Sequence, residues 1–130
     1  MPWIEDFTLA NNTTVDNGAT AWSLSLINAA KASVQSNRFK YVNVGSTEIV
    51  LTTQVIDISS VGSVNISVDL EGSTASTLES SDYIRVYYKL NGGSETLIVS
   101  KTDGFTLYTQ TLNGLWGNTI QIVIRSENNA

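Results

Sequence analysis

The sequence predicts an all-β fold, an antiparallel jelly-roll-like two-sheet sandwich of about eight to ten strands. Three observations predict it. Apolar residues recur at every second position, the period of a half-buried strand. Ser and Thr fill 31 of 130 positions and Asn another 12, which suits strands with one solvated face and polar turns between them. Outside Leu26–Ser33, with room for a helical turn or two, nothing carries a helical period, and that stretch lacks the length to stand alone.

The elements follow in chain order. Trp3–Leu9, Ala21–Leu26, Val34–Val44 and Glu48–Thr53 read as weaker strands. Val55-Ile56-Asp57-Ile58 reads as a short strand or a bend before a Ser59–Ser63 turn. Val64, Ile66, Val68 and Leu70 alternate with Asn65, Ser67, Asp69 and Glu71, giving one apolar and one polar face. The Gly72–Ser81 stretch, rich in Ser and Thr, is expected to be a long mobile loop. Asp82–Leu90 places Ile84, Val86, Tyr88 and Leu90 on one side and Tyr83, Arg85, Tyr87 and Lys89 on the other. Asn91-Gly92-Gly93 tolerates positive φ, so this strand and Glu95–Lys101 form a hairpin. Phe105–Gln110 is a further strand. Ile120, Ile122 and Ile124 form a last inward row, opposed by Gln121, Val123 and Arg125.

Size, with no internal repeat and no linker, makes residues 1–130 one domain, large enough to bury a core without staples. A content of 42% hydrophobic and 15% charged residues excludes a disordered tail and a coiled coil. No apolar run approaches the roughly 20 residues of a membrane-spanning helix. The net charge of −5 argues against nucleic acid, which needs a basic stripe, and against acidic membrane surfaces. Without cysteine there is no disulfide framework. No signal peptide is visible, and Met1-Pro2-Trp3 reads as the start of an excised module.

Three segments carry a resemblance: EDFTLANNTTVDNGATAWSL at 5–24, TTQVIDISSVGSVNISVDLEG with SDYIRVYYKLNGGSETLI at 52–72 and 81–98, and LNGLWGNTIQIVIRS at 112–126. Together they resemble the secreted jelly-roll modules of Bacteroidetes-type surface proteins, similar to MAM-, malectin- and carbohydrate-binding-module-like domains. The resemblance spans nearly the whole chain, but its motifs specify a fold and not a sugar. It implies a secreted or cell-surface bacterial location. It also implies a closing strand carrying an aromatic-Asp pair, whereas this chain ends at Glu127-Asn128-Asn129-Ala130. Without that strand an open edge would take a strand from a partner or from a second copy.

The chain has no histidine or cysteine, so most nucleophile and acid–base devices are missing, and no catalysis is expected. Paired carboxylates for glycoside hydrolysis remain a formal alternative, but they need a cleft that a small sandwich has little room for. Carboxylates suit a structural calcium better, since that ion takes six to eight oxygens. Glu79 lies in the Gly72–Ser81 loop, with Asp69, Glu71 and Asp82 on either side of it, and Glu5 and Asp6 lie near Asp16. The resemblance nominates Glu5 and Asp6, because such modules hold calcium near their first strand. The bland reading of all these carboxylates is solvated loop charge.

Sugars dock by stacking their C–H faces on aromatic rings while charged and amide groups read the hydroxyls. Tyr83, Tyr87 and Trp116 are the candidate stacking residues, and Arg85, Asp69, Glu71, Gln121 and Arg125 the candidate hydroxyl readers. This arrangement requires their strands to be neighbours. Trp22 reads as core, and Trp116, between Gly114 and Gly117, as a loop residue more suited to plugging the sandwich end. The expectation is a non-catalytic, extracellular carbohydrate-binding module with a polysaccharide or glycan partner. The alternative is a structural, assembly or adhesion module pairing through an open sheet edge.

Overall fold

The period-2 rows become the inner faces of an all-β, antiparallel sandwich in the computed structural model, which describes residues 3–42, 44–72, 82–102 and 107–128. Among these residues the strands are β1 (Trp22–Leu24), β2 (Ala32–Val34), β3 (Phe39–Tyr41), β4 (Gly45–Thr53) and β5 (Ile56–Asp57). They continue with β6 (Val64–Leu70), β7 (Tyr83–Leu90), β8 (Glu95–Lys101), β9 (Tyr108–Leu115) and β10 (Thr119–Asn128). The large sheet runs β1-β4-β10-β7-β8, with β5 paired to the start of β10. Two ribbons, β2–β3 and β6–β9, cover its inner face.

Each ribbon makes its own part of the core. Leu70 of β6 packs with Val86 and Val99 of the large sheet, and Ile66 with Ile58 and Ile120. Val34 of β2 packs with Trp22 and Leu51, and Ala32 with Val44 and Ile49. Removing each such aliphatic side chain from water contributes about 1.5–3 kcal/mol, so these two contact zones hold the layers together. Phe7, Trp22, Phe39 and Tyr41 form a chain of tilted and edge-on rings with centroids 5.1–5.8 Å apart under the β2–β3 ribbon.

The alternation on β6, β7 and β10 is as the sequence predicts, and so is the β7–β8 hairpin. Asn91 and Gly92 both take positive φ (55° and 71°), and Gly93 N–H donates to the Leu90 carbonyl at 3.0 Å, a type I′ turn. Val55–Ile58 resolves into the short β5.

Three expectations are corrected. The single strand over Val34–Val44 is in fact part of a hairpin, β2–β3. Ser36 and Asn37 (φ 53° and 61°) form a second tight turn there, closed by reciprocal bonds between Gln35 and Arg38. Trp3–Leu9 is not a strand: Phe7 bends the backbone at φ 55° and joins the core with Leu9 instead of a ladder. Leu26–Ser33 holds a single turn and no longer helix, as its length predicts: Lys31 and Ala32 both donate back to the Asn28 carbonyl, at 3.0 Å each. The strand expected at Phe105–Gln110 is β9, which runs on to Leu115, and residues 105 and 106 lie outside the described set. A bulge opposite Val64–Ile66 places Gly114 at φ +76°, where its N–H meets Asn65 Oδ1 at 3.0 Å. The expected loop is described only at Gly72, with residues 73–81 outside the described set.

Candidate functional site

Five of the eight proposed ligand residues share one surface. In the register of β7 with β10, Lys89 opposes Gln121, Tyr87 opposes Val123, Arg85 opposes Arg125, and Tyr83 opposes Glu127. All project from the outer face, because Ile84, Val86, Tyr88 and Leu90 face the core. The β7–β8 register slips between Val86 and Tyr87, so Leu97 stands beside Tyr87 while Ile98 turns inward. Leu97 is 51% exposed and Val123, between Tyr87 and Thr52, only 2%. The face therefore has an apolar centre of Tyr87 and Leu97 with polar groups around it.

Arg125 organises that rim. Its guanidinium reaches Glu95 through Nε (2.9 Å) and Nη2 (2.6 Å), and Glu48 through Nη1 (2.6 Å). The Tyr83 hydroxyl donates to the other Glu48 oxygen, with Glu127 at 3.4 Å, and the Arg85 guanidinium lies 3.8 Å over the Tyr83 ring. These contacts explain the titration. The bond from Arg125 holds Glu95 below the usual carboxylate range. Burial first, then the Glu48 carboxylate, pushes the Tyr83 phenol above its ordinary value near 10. Gln121 is anchored as well, donating Nε2–H to the Thr53 carbonyl at 3.1 Å. Glu48 and Glu127 do converge on one hydroxyl, that of Tyr83, with Glu48 also paired to Arg125.

The other three ligand candidates lie elsewhere. Asp69 sits on β6 opposite in facing to Leu70, hence on the far side of the sandwich, where Thr109 Oγ1 donates to it at 2.7 Å. Glu71 pairs with Arg38 of the β2–β3 turn at 2.8 Å. The idea of one polar face containing all these residues fails because β6 pairs with β9, not with β7 or β10. Trp116 is no plug: it is 67% exposed after β9, and its ring lies so close over Gly62 that an added Cβ there would stand 3.5 Å away.

The carboxylates proposed for calcium have the following surroundings. Glu5 accepts from Phe7 N–H (2.6 Å), Thr20 Oγ1 (3.0 Å) and Trp22 Nε1 (3.1 Å), clasping the buried indole. Asp6 accepts from Thr8 N–H and Oγ1, and these bonds lower its pKa. Asp82 is buried next to β7, and Glu79 lies outside the described residues. Among the described residues no three carboxylates gather as a cation site would require.

Sequence reasoning missed Glu48, Glu95 and Leu97. The hairpin signal could have supplied the last two, since it puts β8 beside β7; Glu48 needed the long-range pairing of β4 with β10. Comparison with protein-family models, with curated proteins and with solved structures finds no match.

Proposed function

We propose that this chain is a non-catalytic, extracellular carbohydrate-binding module whose ligand face is the outer surface of β7, β8 and β10. One observation carries the reading: the Tyr87–Leu97 pair, open to solvent at Leu97, is ringed by a bidentate Arg125–Glu95 pair, Lys89 and Gln121. An apolar centre accepts the C–H face of a sugar ring, and fixed donors and acceptors around it read hydroxyls. The Arg125 bonds hold the rim in place before a ligand arrives, which lowers the ordering cost of binding. Of the residues nominated from the sequence, Tyr87, Arg85, Gln121 and Arg125 belong to this face, and Tyr83 closes its far end against Glu48.

Pairing through an open edge is the weaker reading. β8 has no outer neighbour among the described residues, but the bulge against β7 and the charged ends Glu95 and Lys101 protect such an edge.

The test is thermal unfolding across a panel of neutral oligosaccharides, each with calcium or with chelator. A ligand at a hundred times its Kd adds about 2.7 kcal/mol of stability, a shift of several degrees at this size. The reading predicts such a shift for at least one glycan and its loss in Tyr87→Ala. No shift with any glycan, together with a melting temperature that rises with protein concentration, would favour the assembly reading.

A further inference from the structure

A second surface has opposite electrostatics. Residues 17–47 hold three cations, Lys31, Arg38 and Lys40, and neither Asp nor Glu, inside a chain of net charge −5. Arg38 is taken by Glu71. The two lysines line a half-open, mainly polar cleft of about 380 Å³, with Asn12, Ser33, Gln35, Ser36, Ala29, Ala30 and Val42 around them.

The cleft follows from the ribbon's alternation. Ala32, Val34, Phe39 and Tyr41 face the core, so Lys31, Ser33, Gln35, Lys40 and Val42 share the outer side. Two flanking segments raise walls on it. Asn12 N–H donates to the Val34 carbonyl and Val34 N–H to the Thr13 carbonyl, both at 2.9 Å, and the Asn28 turn supplies Ala29 and Ala30. The walls bury Ser33 to 2% exposure although it lies on the polar side. Its hydroxyl donates to the Ala29 carbonyl (2.7 Å) and accepts from Gln35 Nε2 (3.0 Å), which also donates to Asn12 Oδ1 (2.8 Å). That network fixes both amides and leaves Asn12 Nδ2 and Gln35 Oε1 as further donor and acceptor. Lys31 Nζ has only a long bond to the Val44 carbonyl, 3.4 Å, and among the described residues neither lysine has an ion pair.

We infer that this cleft is a second binding site, for a saccharide that carries an anionic group. The ammonium groups of Lys31 and Lys40 take the anion, Asn12, Gln35 and Ser36 take hydroxyls, and Ala29, Ala30 and Val42 face the ring's C–H groups. The inference stands apart from the outer-face reading, since it shares no residue with it.

Calorimetric titration of the full chain tests it, with trigalacturonate as the carboxylate probe and a sulfated disaccharide as the sulfate-ester probe. At least one binds at low salt, and affinity falls as salt is added. Lys40→Gln and Lys31→Gln each weaken binding about tenfold, the loss of one charge-assisted contact, while Tyr87→Ala leaves it unchanged. Lys40 is exposed, so its variant keeps the wild-type melting temperature and serves as the folded control. The inference is overturned if neither probe binds, if both lysine variants bind like wild type, or if Arg85→Gln abolishes binding instead. Failure of the outer-face reading would register separately, as no effect of neutral glycans.

Discussion

On the outer face of β7 and β10 each guanidinium lies against a carboxylate or an aromatic ring, whereas over the β2–β3 ribbon two ammonium groups line a cleft that contains no carboxylate. Both surfaces are polar strand faces made by the same alternation. What differs is how charge is closed. On the outer face Arg125 ties β10 to β4 and, across β7, to β8, so its charges help to hold the sheet and present a fixed relief. Over the ribbon the fixed parts are neutral amides and a buried hydroxyl, and the lysines are left to a ligand. Removing charge should therefore cost stability on the first surface and ligand affinity on the second.

The largest expected effect lies beneath the ribbon. Trp22→Ala removes the indole on which Phe7 and Phe39 lean, and should lower stability by about 3–5 kcal/mol by denaturant unfolding. It should also open the ribbon amides to hydrogen exchange before those of β7 and β10. Equal loss of protection everywhere would mean that the two regions unfold as one unit. Next is Arg125→Ala, which leaves Glu48 and Glu95 without their shared cation and should cost about 2 kcal/mol. A change below the error of measurement would show that the network is not stabilising.

The pH dependence sharpens the same contrast. Glu95 has a lowered folded pKa, so its contribution is present above its ordinary value of 4.5 and is lost as pH falls below it. Tyr83 and the buried Tyr41 have raised folded values, so their contributions hold below pH 10.0 and decline as pH rises above it. Melting temperatures should fall at both limits, and Glu95→Gln should flatten the acid limb while Lys40→Gln leaves it unaltered. The smallest effect is that of Lys40→Ala, expected to stay within about 0.5 kcal/mol of wild type.

Local pattern made much of this readable. Alternation at Val64–Leu70 and Tyr83–Leu90 gave the facing of β6 and β7, and Asn91-Gly92-Gly93 gave β7 its hairpin neighbour β8. Ser36-Asn37 formed a tight turn that the apolar residues on either side disguised as one strand, because Asn rather than Gly takes the second left-handed position. Strand order could not be read this way. Asp69 and Tyr87 look alike on the polar sides of their strands, yet the ladders of β6 with β9 and β7 with β10 put them on opposite surfaces. The isolated Trp116 fell to the same limit, since its resting place on Gly62 depends on how β9 meets the turn before β6.

The most direct test of the central claim is an amide chemical-shift map of the labelled chain titrated with the neutral oligosaccharide that most raises its melting temperature. The account predicts shifts confined to β7, β8 and β10, centred on Tyr87, Leu97 and Arg125, and absent in Tyr87→Ala. Shifts centred on Trp116, on Asp69 or on the β2–β3 ribbon, with β7 and β10 unmoved, would contradict it.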